Sequence, residues 1–101
     1  MLFLVEVTTR FPDRMLSEER AEIIGREASQ GQQLCRTGVI VHIWRLPGQI
    51  ANVAVWDCAD ADALHAGLTS LPAWPWMSVT VRPLATHPLG AFLHVVEAKL
   101  D

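Results

Sequence analysis

The sequence has no tyrosine and one lysine, Lys99, two residues before its C-terminus. The remaining cationic side chains are arginines, and they are scattered along the chain instead of forming a basic run. Because non-specific nucleic-acid binding depends on clustered positive charge, this distribution and the net charge of −3 argue against a nucleic-acid partner.

Long apolar runs are also missing, because no uninterrupted apolar stretch approaches the ~20 residues of a membrane helix. The first six residues have no basic segment and reach Glu6, which favours a strand over a signal peptide. The two cysteines, Cys35 and Cys58, have no motif spacing. We therefore expect no membrane partner, and a cytoplasmic protein with reduced thiols.

The histidines are few and lack the spacing of metal ligands. No pair among His42, His65, His87 and His94 has a helical or zinc-knuckle spacing. The chain also lacks a glycine-rich phosphate loop and a nucleophile elbow. We expect no metal site.

What the sequence has in quantity is apolar surface, since half of its 101 residues are hydrophobic. This length fits one domain, and so small a domain often buries surplus apolar surface against copies of itself. We therefore expect self-association.

The pattern of hydrophobic residues and turn signals predicts six elements. They are strands over residues 2–9, 39–46, 49–57 and 77–82 and helices over residues 17–36 and 61–70. Ser17 and Asp60 are the expected helix caps. The βαββαβ order predicts an α+β, ferredoxin-like fold, with both helices on one face of an antiparallel sheet. Pairing of two such sheets in a dimeric barrel would cover the other face.

The tail beyond Pro88 is apolar at helical spacing, at Leu89, Phe92, Leu93, Val96 and Leu100. A strand is the alternative. We divide the chain into a domain over residues 1–88 and a tail over residues 89–101 that docks on a neighbouring subunit.

Each residue of an α-helix advances by about 100° around its axis, and this rotation puts Glu27 on the apolar side of the first predicted helix. The predicted buried arc consists of Ile23, Ile24, Ala28, Leu34 and Cys35. A carboxyl in apolar surroundings has a raised pKa, which suits a general base. The alternative, which the pattern alone favours, is a structural ion pair with Arg20 or Arg45.

Two polar residues of the predicted hairpin are further candidates. Asn52 is polar within an apolar strand, so it needs a structural partner or a ligand. Arg45 could hold a substrate carboxylate with two hydrogen bonds, or cap the edge of the sheet. Strict alternation in the first hairpin strand places Ile40, His42 and Trp44 on one face and Ile43 and Arg45 on the other.

Several stretches together resemble the muconolactone isomerase family. They are Met1-Leu2-Phe3, Glu27, His42-Ile43-Trp44-Arg45 before Gly48, Ala51-Asn52, Asp57, Ala63-Leu64-His65, Leu71-Pro72, Pro75 with Met77, and His87-Pro88. The resemblance spans residues 1–88 without gaps. It implies a ferredoxin-like fold, a dimeric barrel unit and a decamer. It also implies a reaction without cofactors, in which a ring double bond of a small unsaturated lactone shifts.

The resemblance implies roles for particular residues. Glu27 would remove a proton from the lactone ring and return it, while Arg45 and Asn52 would hold the carboxylate and the lactone oxygens. We expect the substrate pocket to be lined by Ile24, His42, Trp44, Ile50, Trp56, His65, Trp74, Trp76 and Met77.

Some positions depart from the family pattern. Ile24 stands where the family has a lysine, and Ile50 stands where it tends to have an aromatic residue. Loss of a cation and of hydroxyl groups favours a larger, more apolar substrate. The alternatives are therefore an isomerase or cyclase of a natural-product intermediate, a chloromuconolactone dehalogenase, a cofactor-independent monooxygenase using Asn52, Trp44 and His65, or a binding protein without chemistry.

Overall fold

A four-stranded antiparallel sheet carries two helices, and the computed structural model describes residues 1–93. The strands are β1 (Leu2–Thr9), β2 (Ile40–Arg45), β3 (Ala51–Asp57) and β4 (Met77–Leu84), and the helices are α1 (Ser17–Arg36) and α2 (Ala61–Thr69). The strand order β2-β3-β1-β4 and the antiparallel pairing confirm the predicted α+β, ferredoxin-like fold.

One face of the sheet carries the hydrophobic core. Across β1 and β3, Phe3 lies opposite Trp56 and Val5 lies opposite Ala54, and residues paired in this way share a face. The same cluster takes in Leu34 from α1 and Leu64 and Leu68 from α2. Both helices therefore cover this face, as predicted.

A β-bulge in β2 was not predicted. Ile40 pairs with Trp56, whereas His42 pairs with Val55, so two steps along β2 match one step along β3. The extra residue reverses the alternation of side chains beyond it. No glycine or proline stands within this part of the strand to mark the bulge.

The bulge corrects the predicted faces of β2. Ile43 pairs with Ala54 and Arg45 pairs with Asn52, so both lie on the helix-covered face together with Ile40. His42 and Trp44 lie on the opposite, open face, where their rings stack at a centroid distance of 5.5 Å. The prediction that Ile40 shares a face with His42 and Trp44 is wrong.

Helix α1 buries less of its surface than predicted. Ile23 and Leu34 are buried, but Ile24 is 51% exposed, and Ala28 and Cys35 are exposed as well. The predicted arc is therefore too wide, because α1 packs against the rest of the chain along a narrow strip.

The two predicted helix caps have different outcomes. Asp60 caps α2, since its Oδ1 accepts a hydrogen bond from the Ala63 N–H at 2.8 Å. Ser17 is the first residue of α1 and not its cap, and the residue at the cap position, Leu16, makes no side-chain hydrogen bond. The prediction for Ser17 is wrong.

The segment between α2 and β4 folds into a tight loop that ends in a short 3-10 helix, Trp74–Trp76. The Trp74 N–H donates to the Leu71 carbonyl at 2.9 Å, and the Trp76 N–H donates to the Ala73 carbonyl at 2.9 Å. Leu71 and Ala73 are buried. This loop carries the main chain of Ala73 to α1.

The end of the described chain is a 3-10 helix, Pro88–Phe92, with Leu89, Phe92 and Leu93 exposed by 64%, 83% and 74%. The predicted helix of the tail lies mostly outside the described residues. None of the helices within residues 1–93 is long and apolar enough to cross a bilayer.

Candidate active site

A cavity of about 820 Å³ lies between the first half of α1 and one end of the sheet, where β1 and β2 end and β3 and β4 begin. Its lining consists of Thr8, Thr9, Arg10, Phe11, Asp13, Arg20, Ile24, Glu27, Arg45, Gln49, Ile50, Asn52, Ala73, Met77 and Ser78. This volume falls within the range of small-molecule sites, which is roughly 300–1,000 Å³.

Glu27 is half-buried in the wall of this cavity, on the same strip of α1 as Ile23 and Leu34. Burial raises the pKa of the Glu27 carboxyl above that of an exposed glutamate. The Ala73 N–H donates a hydrogen bond of 2.9 Å to Oε1, which lowers the pKa and offsets part of that increase. The carboxyl is therefore oriented by the main chain and has a higher proton affinity than usual.

The structure decides against the ion-pair alternative for Glu27. Within residues 1–93, the one ion pair closer than 4.0 Å joins the N-terminal amine to Asp57, at 3.1 Å. Neither Arg20 nor Arg45 is that close to Glu27. The hydrogen bond that Glu27 makes to the described chain comes from Ala73 and uses Oε1, which leaves Oε2 for a ligand.

Arg45 and Asn52 face the same cavity as neighbours across β2 and β3. Arg45 Nη1 donates to the Ala51 carbonyl at 3.5 Å, longer than the usual 2.7–3.2 Å of an N–H···O bond. This long contact leaves most of the donors of the guanidinium for a ligand. The Asn52 side chain is half-buried and makes no hydrogen bond to the part of the chain described here. Both side chains can therefore donate hydrogen bonds to an anionic oxygen.

Three further predicted residues, Ile24, Ile50 and Met77, line the cavity with Glu27. Ile24 is 51% exposed and Ile50 is 71% exposed, so these two side chains form an apolar rim. The structure thus brings six of the predicted site residues to one cavity.

Six other predicted residues do not line this cavity. They are His42, Trp44, Trp56, His65, Trp74 and Trp76. The bulge turns His42 and Trp44 to the open face of the sheet. Trp56 is 3% exposed because it packs in the core against α2. Its Cζ3 would lie only 3.0 Å from a Cβ added to Gly67 of that helix.

The remaining three aromatic residues pair with one another or with Phe11. His65 is exposed and contacts Trp74 edge to face, with 6.0 Å between the ring centroids. Trp76 lies against Phe11 at 5.4 Å. Phe11 lines the cavity, so Trp76 supports the cavity wall from behind.

Two arginines that line the cavity were not predicted as ligand-binding residues. Arg10 follows β1, and Arg20 precedes Glu27 by seven residues, which is two helical turns on the same side of α1. That spacing is the reason why Arg20 was considered as an ion-pair partner of Glu27, a pair that the structure does not form. Among the described residues, no group of three His, Cys, Asp or Glu side chains is arranged to hold a metal ion.

The chain as a whole is similar to several known proteins. The family model for muconolactone delta-isomerase matches residues 1–89. A muconolactone delta-isomerase of Acinetobacter lwoffii is 40% identical over 87 residues, covering 86% of this chain and 91% of its own. One from Rhodococcus opacus is 36% identical over 86 residues, covering 85% and 92%. A crystal structure of a muconolactone isomerase superposes with a TM-score of 0.82 at 36% identity, covering 87% of this chain and 92% of that one.

Proposed function

The chain belongs to the muconolactone delta-isomerase family, and we propose that it is an isomerase that converts muconolactone to the enol-lactone of 3-oxoadipate. The match covers most of this chain and about nine-tenths of its relatives, at 36–40% identity in the two relatives described above. The observation that carries the proposal is the half-buried Glu27, with one oxygen held by Ala73 and a raised pKa.

In this proposal Glu27 is the base and later the acid. Its Oε2 removes the proton from the ring carbon that bears the carboxymethyl arm. The electron pair moves through the ring double bond to the lactone carbonyl and gives a dienolate. Protonated Glu27 then returns the proton to the carbon beside the carbonyl, so the double bond ends one position further along. A raised pKa helps the first step, because it increases the proton affinity of the Glu27 carboxylate.

Arg45 and Asn52 have the chemistry to stabilise the dienolate. Negative charge develops on the carbonyl oxygen as the proton leaves, and fixed donors next to that oxygen lower the barrier. The guanidinium of Arg45 and the amide of Asn52 are neighbours across the β2–β3 pairing and face the cavity. No cofactor takes part in this scheme.

Turnover of muconolactone in deuterated water tests the base. We expect Glu27→Gln to lower kcat by about 10³-fold, within the usual range for loss of a general acid–base group. Wild type should incorporate solvent deuterium beside the carbonyl in the turnovers in which the protonated Glu27 carboxyl exchanges with solvent before it returns the proton. Glu22→Gln is the matched control, because Glu22 is exposed on the same helix and does not line the cavity. Wild-type turnover by Glu27→Gln would show that another group is the base.

The apolar rim favours a second candidate, the same chemistry on a larger lactone or enolisable carbonyl compound. Ile24 and Ile50 offer hydrophobic contact at the mouth of a cavity of about 820 Å³. A higher kcat/KM for an alkyl-substituted lactone than for muconolactone would support this candidate. The residues considered for an oxygenase do not converge, since Trp44 lies on the open sheet face and His65 outside the cavity.

Self-association is also part of the proposal. The open face of the sheet presents the stacked His42 and Trp44, and Trp44 is 48% exposed, which a second sheet could cover. The division into residues 1–88 and a docking tail over residues 89–101 stays a prediction, as do the decamer and the cytoplasmic location. The unpaired thiols of Cys35 and Cys58 suit a reducing compartment.

A further inference from the structure

The cavity contains more positive than negative charge. Three arginines line it, Arg10, Arg20 and Arg45, against two carboxyl groups, Asp13 and Glu27. No ion pair closer than 4.0 Å neutralises any of these five side chains within the described residues. Because an unpaired cation in a cavity wall is available to a ligand, the cavity favours an anionic one.

Arg20 is held in place by an aromatic contact instead of a carboxylate. Its Cζ lies 5.7 Å from the centroid of the Phe11 ring, within the distance of a cation–π interaction. The Phe11 ring also contacts the Trp76 ring, with 5.4 Å between the ring centroids. The Arg10 N–H donates to the Trp76 carbonyl at 2.9 Å and fixes the chain next to Phe11. Arg20 is therefore oriented while its hydrogen-bond donors stay free.

The arginines and the base occupy separate parts of the cavity. No arginine lies within 4.0 Å of the Glu27 carboxyl among the described residues, and burial and the Ala73 N–H are the causes of its pKa shift. A guanidinium close to the carboxylate would lower that pKa strongly. A substrate that reaches both Glu27 and Arg20 must therefore extend along α1, past Ile24, which lies between them on the helix.

We propose that Arg20 is a specificity-determining residue that binds the carboxylate on the side arm of the substrate, while Ile24 contacts the apolar part of the ring. This inference rests on the proposed function and adds to it. With the carboxylate bound at Arg20, Arg45 and Asn52 remain for the lactone oxygens. The substrate class is a lactone or enolisable ring that carries a carboxylate arm.

The test uses an unreactive probe, a saturated lactone with a carboxymethyl arm, together with its primary amide. We expect wild type to bind the acid at least about tenfold more tightly than the amide, as measured by calorimetry. Arg20→Gln should weaken acid binding by about the same factor and leave amide binding within about twofold. Arg20→Lys should bind the acid more tightly than Arg20→Gln but less tightly than wild type, because lysine keeps the positive charge and lacks the planar set of N–H donors of a guanidinium.

Arg26→Gln is the matched control, since Arg26 is exposed on the same helix and does not line the cavity. Its acid and amide affinities should equal those of wild type. In turnover, Arg20→Gln should raise KM and leave kcat within a few fold, whereas a general loss of structure would lower kcat.

Several outcomes would overturn the role of Arg20. One is equal affinity of wild type for acid and amide, which needs no variant to measure. Another is equal weakening of both probes by Arg20→Gln, and a third is failure of wild type to bind the acid at all. The proposed function fails separately, if wild type binds the acid probe with the expected preference and does not turn over muconolactone.

Discussion

Helix α1 has two apolar stripes that differ in what they do. The inner stripe, Ile23, Glu27 and Leu34, is turned toward the chain, and its two apolar members are buried. The flanking stripe, Ile24, Ala28 and Cys35, lies about 100° around the helix and is exposed. Glu27, the proposed base, belongs to the inner stripe, one turn after Ile23, so the same packing that holds the helix desolvates its carboxyl.

The difference shows that an apolar pattern does not by itself identify a core. The flanking stripe is as apolar as the inner one, yet in the single chain it forms the cavity rim at Ile24 and open surface at Ala28 and Cys35. Surface that a ligand or a second copy covers has the same composition as surface that the sheet covers. The inner stripe should therefore control stability, and the flanking stripe should not.

The largest expected difference is between neighbouring residues on the two stripes. Leu34→Ala removes a side chain from the core cluster and should lower the free energy of unfolding by about 3 kcal/mol. Cys35→Ala should change it by less than about 0.5 kcal/mol. Urea unfolding of both variants at low protein concentration measures this. Equal destabilisation would mean that the flanking stripe is also packed.

A smaller difference is expected for two helical glycines. Gly25 lies on the exposed part of α1 with nothing within 4 Å of an added Cβ, so Gly25→Ala should stabilise the fold by about 0.5–1 kcal/mol. On Gly67 of α2 the added Cβ would lie 3.0 Å from Trp56 Cζ3. Gly67→Ala should therefore destabilise the fold, because the buried indole must shift.

Thermal unfolding of the two alanine variants beside wild type checks these opposite signs. An increase in Tm for Gly67→Ala would show that Trp56 moves at little cost. The part of the core next to α2 would then be easier to repack than the part next to the inner stripe of α1.

The smallest effect on stability is expected for Glu27, the polar residue of the inner stripe. Folding raises the pKa of Glu27, so the folded chain binds this proton more tightly than the unfolded chain. The resulting stabilisation is fully present when the pH is below the pKa of Glu27 in the unfolded chain, about 4.3. It is lost as the pH rises through the higher pKa of Glu27 in the folded chain. Glu27→Gln should thus have a slightly higher Tm than wild type at neutral pH, and the difference should shrink in acid.

Scanning calorimetry between neutral pH and about pH 3.5 measures this dependence. A lower Tm for Glu27→Gln at neutral pH would show that the ionised carboxyl stabilises the fold, as an ion pair would. Glu22→Gln, on the exposed side of α1, should follow wild type over the whole range.

Local patterns were enough to predict the order and approximate bounds of the elements, including β1 at residues 2–9 and the cap at Asp60. The cavity could be predicted in part, because Glu27, Arg45 and Asn52 stand out as polar residues on apolar elements. The bulge after Ile40 could not, since it depends on pairing with β3 and leaves no mark in β2. Phe11 was also missed, because one partner, Trp76, is distant in sequence and the other, Arg20, contacts it across the turn before α1.

The partner of Glu27 Oε1 is a main-chain N–H, and every residue except proline supplies one. Side chains of the loop at Leu71–Trp76 can therefore be replaced without deleting the donor that orients the Glu27 carboxyl, as long as the loop keeps its path. A library that varies the rim residues Ile24 and Ile50, together with Trp76 next to the cavity-lining Phe11, would alter shape and polarity around the proposed proton-transfer group. If Glu27 is the base, this scaffold allows substrate preference to change while the proton-transfer group keeps its position.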